Sequence, residues 1–398
     1  MKSKIDPVSA KFKVLSKDFI VEEMTRDEQI CKISDNWETE TKLENIDLEN
    51  KKDFLWCQFE KKDIDQFRSL REFSSQLNTG IDAIGFAGTK DKKAWTCQRI
   101  SIFKPNIDLI KTFQHDNIHI KNFRWNKRKI KMGYLDGNRF TIILRDIDRK
   151  DAMKITNQIK RTKEFPNYFG KQRFGSVRGN NDKIGKLIIK RKFKEAIFAI
   201  LTDTSNKERK EVIEAREKLT NEKDFKKALN YFPPFLRFER NILMHLAQNR
   251  NDHIGALKRT DRKQVLMFVH AVQSRLFNDI LENSLAEGID FSIEGQKKIP
   301  LIGYKTRFDP EELGEIEKEI LAKYNINTND FDVKEIPFLR IKGQLRNALI
   351  EVKNLTMETE DDELYENTKK ITLKFDLPSG VYATTFLENF FILEEVRN

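Results

Sequence analysis

Cysteine and histidine are scarce in this chain of 398 residues, which has three of the first and five of the second. Cys31, Cys57 and Cys97 stand far apart with no paired spacing, so neither a disulfide framework nor a thiolate metal site is expected, and a reducing cytoplasm suits the chain. His115 and His119 have helical i to i+4 spacing, but Asp116-Asn117 between them reads as a turn and no third ligand is near, so no metal is expected. Long apolar runs are missing. No stretch approaches membrane-spanning length and the lysines of Met1-Lys2-Ser3-Lys4 precede no apolar segment, so neither membrane insertion nor secretion is expected. Glycine fingerprints are missing as well. Gly85 to Lys90 is too short for a phosphate-binding loop and is followed by Asp91 rather than Ser or Thr. No two-glycine fingerprint opens a helix after a strand, so neither a nucleotide nor a redox cofactor is expected.

What the chain has in quantity is positive charge and phenylalanine. Lys and Arg number 74 against 63 Asp and Glu, a net +11 that suits a polyanionic partner such as nucleic acid. The 30 Phe residues supply much of the bulk for a core spread over two or three domains. Phe12 and Val14, then Phe19 and Val21, alternate with polar neighbours and predict short half-buried strands. The polar stretch from Glu38 to Lys52 predicts a loop. Ile64, Phe67, Leu70 and Leu77 recur at helical spacing, with Thr79-Gly80 as the stop. Alternation from Cys97 to Ile102 and in Phe140 to Leu144, the latter after the turn signal Asp136-Gly137-Asn138, predicts further strands. From Lys183 to Ser284 the pattern is helical. Val265, Phe268, Val269, Val272, Leu276 and Ile280 trace one face, and Phe235, Phe238, Ile242 and Leu246 another. The acidic run from Glu358 to Glu366 lacks an apolar period and predicts a connector ahead of a strand at Ile371 to Phe375.

Two segments can carry chemistry. Gly85-Phe86-Ala87-Gly88-Thr89-Lys90-Asp91-Lys92-Lys93 sets one carboxylate on a glycine-flanked segment among three lysines. With an unperturbed pKa of ~3.9, Asp91 is ionised at neutral pH, and the cations of Lys90, Lys92 and Lys93 favour that form further. It suits a standing nucleophile; a turn residue bonding its own backbone is the plainer alternative. The second segment is Pro166-Asn167-Tyr168-Phe169-Gly170-Lys171-Gln172-Arg173-Phe174-Gly175. Aromatic faces can stack on a nucleobase and amides can bond its edge, while aromatics packed in a core around a tight turn give the same composition. Lys121 to Lys131 interleaves six cations with Phe123 and Trp125, which fits either an RNA-contacting edge or the charged face of an edge strand.

Taken together, Gly85 to Asp91 and Asn167 to Gly175 resemble the two signature motifs of the TruD family of tRNA pseudouridine synthases. Asp18-Phe19-Ile20-Val21-Glu22-Glu23, Gly137-Asn138-Arg139-Phe140, Ala271 to Asn278 and Leu377 to Thr384 agree with that resemblance in family order over almost the whole chain. It implies an α+β fold: a pseudouridine synthase catalytic domain with a largely antiparallel mixed sheet, residues 1–180 and 361–398, and an inserted α/β TruD-specific domain, residues 181–360. It implies a cofactor-free isomerase acting on tRNA, at the uridine numbered 13, with RNA between the two domains. By the same resemblance Asp91 is the catalytic residue and Phe169 stacks on the uracil. Asn167 orients loop or base, Lys61 is an active-site or phosphate-contacting lysine unless it is an ordinary solvated one, and Gly88, Lys90, Gln172 and Arg173 support the motifs. Two departures stand out: Gln66 where the family has threonine, and Glu388-Asn389 where it has Arg-Glu. The rival readings are a non-catalytic RNA-binding or RNA-chaperone protein that keeps the fold, and a methyltransferase, which would need the glycine-rich loop that is missing.

Overall fold

The computed structural model describes residues 6–37, 51–291 and 297–396. The predicted loop from Glu38 to Lys52 lies almost wholly outside them. The chain divides into two compact units, residues 1–165 with 350–398, and residues 166–349.

The first unit is built on a ten-stranded sheet. Its strands are β1 (Val8–Phe12), β2 (Phe19–Met24), β3 (Phe54–Lys62), β4 (Ile84–Phe86), β5 (Trp95–Phe103), β6 (Ile118–Asn126), β7 (Gly137–Ile147), β8 (Lys353–Asp361), β9 (Lys369–Pro378) and β10 (Phe391–Glu395). The main path runs β8-β9-β7-β2-β5-β3-β6, with β4 on β5 and with β1 joined to β7 and β10. The pairs β2/β5 and β1/β10 are parallel and the other ladders antiparallel. Seven of the nine residues in each of β3 and β5 are buried, because central strands are covered on both faces. The predicted helix forms over Gln66–Gln76, where the Asp65 carboxylate caps it by accepting from Phe67 N and Arg68 N, both at 3.0 Å. It buries Leu70 and Phe73 with Leu55, Phe59, Ile100 and Ile120. At Gly137 the β9 backbone comes so close that an added Cβ would lie 2.2 Å from Leu377 O, which only glycine permits.

The acidic run is not a connector. Residues through Asp361 form β8, an end strand of the sheet whose acids face lysines across the ladder. Lys369 lies 2.9 Å from Asp361, and Lys370 lies 3.5 Å from Glu360 and 2.8 Å from Glu363. Asp362 is buried, and its carboxylate accepts from Arg145 Nη1 at 2.9 Å, while Asp18 accepts from Nε and Nη2 of the same guanidinium, each at 2.9 Å. Charge without an apolar period marks this edge because its partner strand supplies the cations. Arg139 is likewise bidentate to Asp376, at 2.7 and 2.8 Å.

The second unit is helical, with a two-stranded antiparallel ribbon of Lys298–Leu301 and Gln344–Asn347. Its axis is the 25-residue helix Arg262–Ala286, whose predicted apolar face is fully buried. Asn181–Ile189 crosses that helix at Gly185, where an added Cβ would lie 2.0 Å from Phe268 O. In the other predicted face Phe238, Ile242 and Leu246 are buried, but Phe235 precedes the helix start at Arg237, is exposed, and carries the Arg209 guanidinium on its ring. The unit boundaries fall at 165/166 and 349/350 rather than at 180 and 360. Two interactions account for the difference: the Asn167 to Gly175 segment is bonded to the long helix, and residues 353–361 belong to the sheet.

Candidate active site

In the sheet unit, β4 leads through Ala87 and Gly88 to Asp91, and β5 begins at Trp95, so the acid sits in a loop entering a strand as predicted. Gly85 lets this segment lie against the chain at Ile130, whose carbonyl oxygen would be 2.3 Å from an added Cβ. Gly88 has neither a left-handed backbone nor a crowded Cβ position. The Asp91 side chain is 49% exposed, with Oδ2 3.4 Å from Lys13 Nζ, and it caps no backbone amide among the described residues.

The lysines around Asp91 are not deployed as the linear motif suggests. Lys90 turns inward, and its ammonium donates to buried Glu23 at 2.9 Å. Glu23 in turn accepts from Arg99 N at 3.2 Å. Lys93 donates to Val396 O at 2.7 Å, and Lys92 is exposed. The cation beside the carboxylate is Lys13, distant in sequence and lodged over the Phe12 and Phe19 rings.

Lys61 is no solvated lysine. It is 1% exposed, near the end of β3, and its ammonium donates to Asp91 O at 2.5 Å and Ile64 O at 3.0 Å. Burial pulls it down to about 8, against the opposing pull of the Asp91 and Asp65 carboxylates. It grips the backbone of the acidic residue. Gln66, where the family has threonine, is buried in the first turn of the following helix.

In the helical unit the second motif is arranged around Phe169. Phe169 N donates to Asn278 Oδ1 at 2.8 Å and Asn278 Nδ2 donates back to Phe169 O at 2.9 Å, a two-bond clamp from the long helix. The half-buried Phe169 ring meets Phe277 edge-on, with centroids 5.5 Å apart. The Arg346 and Arg173 guanidiniums lie 4.2 and 5.2 Å from its centre. Asn167 is buried, and its amide donates to Asn347 O at 2.8 Å and accepts from Arg346 Nη2 at 2.5 Å, which ties this segment to the ribbon strand Gln344–Asn347. Arg173 Nε donates to Ser274 Oγ at 3.0 Å, and Gln172 is exposed in the short turn Lys171–Phe174.

Sequence reading missed Lys13, Arg346 and the clamping role of Asn278. Asn278 could have been found, because it closes the Ala271 to Asn278 segment already singled out. Lys13 and Arg346 lie outside every motif. The second departure, Asn389, donates to Thr385 O and Phe386 O at 2.7 and 3.1 Å and closes a helical turn. His115 Nε2 is 2.8 Å from Glu72, and no group of three or more His, Cys, Asp or Glu placed to hold a metal occurs among the described residues. The three cysteines are buried as free thiols, with Cys31 pushed up to about 12 by that burial. No helix among the described residues is long and apolar enough to cross a membrane.

Comparison with known proteins supplies the family. The family model for tRNA pseudouridine synthase D (TruD) matches residues 2–299 and 292–390. A Methanopyrus kandleri protein named probable tRNA pseudouridine synthase D is 34% identical, over 82% of this chain and 83% of its own length. A Methanocaldococcus jannaschii protein named probable tRNA pseudouridine synthase D 1 is 32% identical over 94% and 93%. A crystal structure assigned to tRNA pseudouridine synthase D from Methanosarcina mazei superposes with a TM-score of 0.79 at 28% identity, covering 98% of this chain and 95% of that one. With both signature segments ordered around Asp91 and Phe169, and with matches of this length, the chain belongs to the tRNA pseudouridine synthase D family of isomerases.

Proposed function

We propose that this protein converts uridine to pseudouridine in tRNA, at the uridine numbered 13, without a cofactor and in the cytoplasm. The bond from N1 to the ribose breaks, one from C5 to the ribose forms, C5 gives up its proton and N1 takes one, so atoms and electrons balance within the nucleotide. Asp91 is the nucleophile. The observation that carries this is a half-exposed carboxylate on a loop whose backbone oxygen is held by a buried ammonium. A carboxylate needs no partner base to act, and a fixed backbone limits where it can be, which is what a reaction between a side chain and one bond of a bound base requires.

The target base must leave its stack, at a cost of a few kcal/mol. Stacking on Phe169, worth ~1–3 kcal/mol, offsets part of that cost. The Asn278 clamp and Asn167 hold Phe169 in place for it. The test is a cofactor-free incubation of unmodified tRNA with wild type, Asp91→Asn and Phe169→Ala, mapped by carbodiimide labelling and primer extension. A single new stop with wild type is expected. Asp91→Asn is expected to bind tRNA and give no stop. Full turnover by Asp91→Asn would overturn the assignment of the nucleophile, and unchanged kinetics in Phe169→Ala would overturn the stacking role.

A further inference from the structure

The sheet unit has a second chemically distinctive place at the other end of the strands that position Asp91. Lys61 and Asp91 mark one end of β3, and the opposite end, beginning at Phe54, pairs with Phe103 of β5 and Asn126 of β6. Eight residue steps along β3 separate these ends by ~27 Å. A pocket of about 620 Å³ opens there, lined by Lys51, Lys52, Asp53, Lys104, Pro105, Trp125 and Lys127.

Four cations and one carboxylate leave this lining three charges positive. Asp53 lies 3.9 Å from Lys104, and among the described residues Lys51, Lys52 and Lys127 make no ion pair. Elsewhere on the same edge the cations are spoken for: Lys121 is buried, donates to Ser34 Oγ at 2.5 Å and lies 3.4 Å from Glu60, while Arg124 is 2.7 Å from Asp27. Of the cations from Lys121 to Lys131, Lys121 and Arg124 are thus paired, Lys129 donates to Asp82 O, and Lys127 lines the pocket. Trp125 offers that mouth an aromatic wall. Lysines that pair with no acid among the described residues, set around an aromatic, fit a nucleotide of single-stranded or looped RNA, phosphate on the lysines and base against the indole.

We infer that this pocket is a remote RNA-binding site that holds a backbone segment of the tRNA distant from the reacting uridine. The inference rests on the proposed substrate, and two RNAs separate it from the proposed chemistry. Binding of full-length unmodified tRNA and of a short RNA, carrying the target uridine with three nucleotides on each side, is measured against salt for wild type and for Lys51→Gln/Lys52→Gln/Lys127→Gln. The short RNA cannot bridge the ~27 Å between the two ends while seated at Asp91. For full-length tRNA the slope of log affinity against log salt is expected to fall by about 2–3, one for each lysine that no longer meets a phosphate, with at least tenfold weaker binding. For the short RNA, affinity is expected to stay within twofold. Equal losses for both RNAs, or no loss for tRNA, would overturn the site. Absence of pseudouridine with wild type, together with the tRNA-selective loss, would overturn the chemistry and leave the site standing.

Discussion

Replacing Lys61 with Met removes the ammonium that grips the Asp91 backbone and keeps an unbranched apolar stem in the same space. The energetic effect has two opposed parts. The ammonium makes two charge-assisted hydrogen bonds, to Asp91 O and Ile64 O, each worth ~1.5–3 kcal/mol. Its burial works the other way: holding the group down to about 8, from ~10.4 in an open chain, disfavours the charged form by ~3 kcal/mol at neutral pH. The two partly offset, and water can reach the half-exposed Asp91. Lys61→Met is therefore expected to lower unfolding free energy by no more than ~3 kcal/mol. Catalysis has no such compensation, because a misplacement of ~1 Å in a reacting group costs ~10²-fold. Single-turnover pseudouridine formation, read beside urea unfolding of the same sample, is expected to show roughly a hundredfold loss in rate with stability lowered no further than that.

The pH dependence has a definite sign. The folded chain releases the Lys61 proton near pH 8 and the unfolded chain near ~10.4, so between those values the unfolded chain holds more protons and stability gains a rising component with pH. Below pH 8 that component is flat, and the Met variant should lack it throughout. A rate within threefold of wild type would refute the view that Lys61 positions Asp91. A stability loss above ~4 kcal/mol would refute the offset.

Arg145→Met should destabilise the sheet unit by ~3–5 kcal/mol, because it strands the buried carboxylates of Asp18 and Asp362; equilibrium urea unfolding reads it, and a change under ~1 kcal/mol would refute the buried network. Glu317, buried in the helical unit and pushed up to about 7 by that burial, holds more protons folded than unfolded between ~4.3 and 7, so its contribution to stability falls as pH rises through that window. Glu317→Gln is expected to stabilise the protein by ~1–3 kcal/mol at pH 8 and by nothing measurable at pH 4; equal effects at both would contradict the assignment. Asn278→Ala removes both bonds that clamp Phe169, and pre-steady-state kinetics should show slower base engagement with Asp91 chemistry intact, so an unchanged rate would mean the clamp is ornamental.

Local patterns were legible wherever one face of an element does the burying. The strands near Phe19 and Phe140 and the stripe from Val265 to Ile280 repeat at the period of their structure and are buried as that period requires, whereas in the stripe of the helix capped by Asp65 Leu70 and Leu77 are buried and Phe67 is exposed. The Asp91 loop was legible because glycine and a following strand bracket it. Partners were not. Lys90 pairs with an acid 67 residues away, Lys13 meets Asp91 across 78, and Arg145 reaches Asp362 across 217. Nothing local in a lysine says which carboxylate it will find. The acidic end of strand β8 was unreadable for the opposite reason, since its acids are matched by lysines on β9, and only Leu355 and Met357 of the strand pack on the core.

The Arg145 network and the β7/β9 ladder also set an order of assembly. Strand β7 ends at Ile147 and its partner β9 begins at Lys369, with the whole helical unit between them. At ~5–20 residues per second the ribosome needs roughly 10–45 s to cover that interval, during which β7 lacks its β9 neighbour while residues 166–349 can already fold as a contiguous piece. Lys93, beside the proposed nucleophile, waits longer still, for the carbonyl of Val396. The loop that carries Asp91 is thus completed only after a residue 303 positions further along the chain has been made.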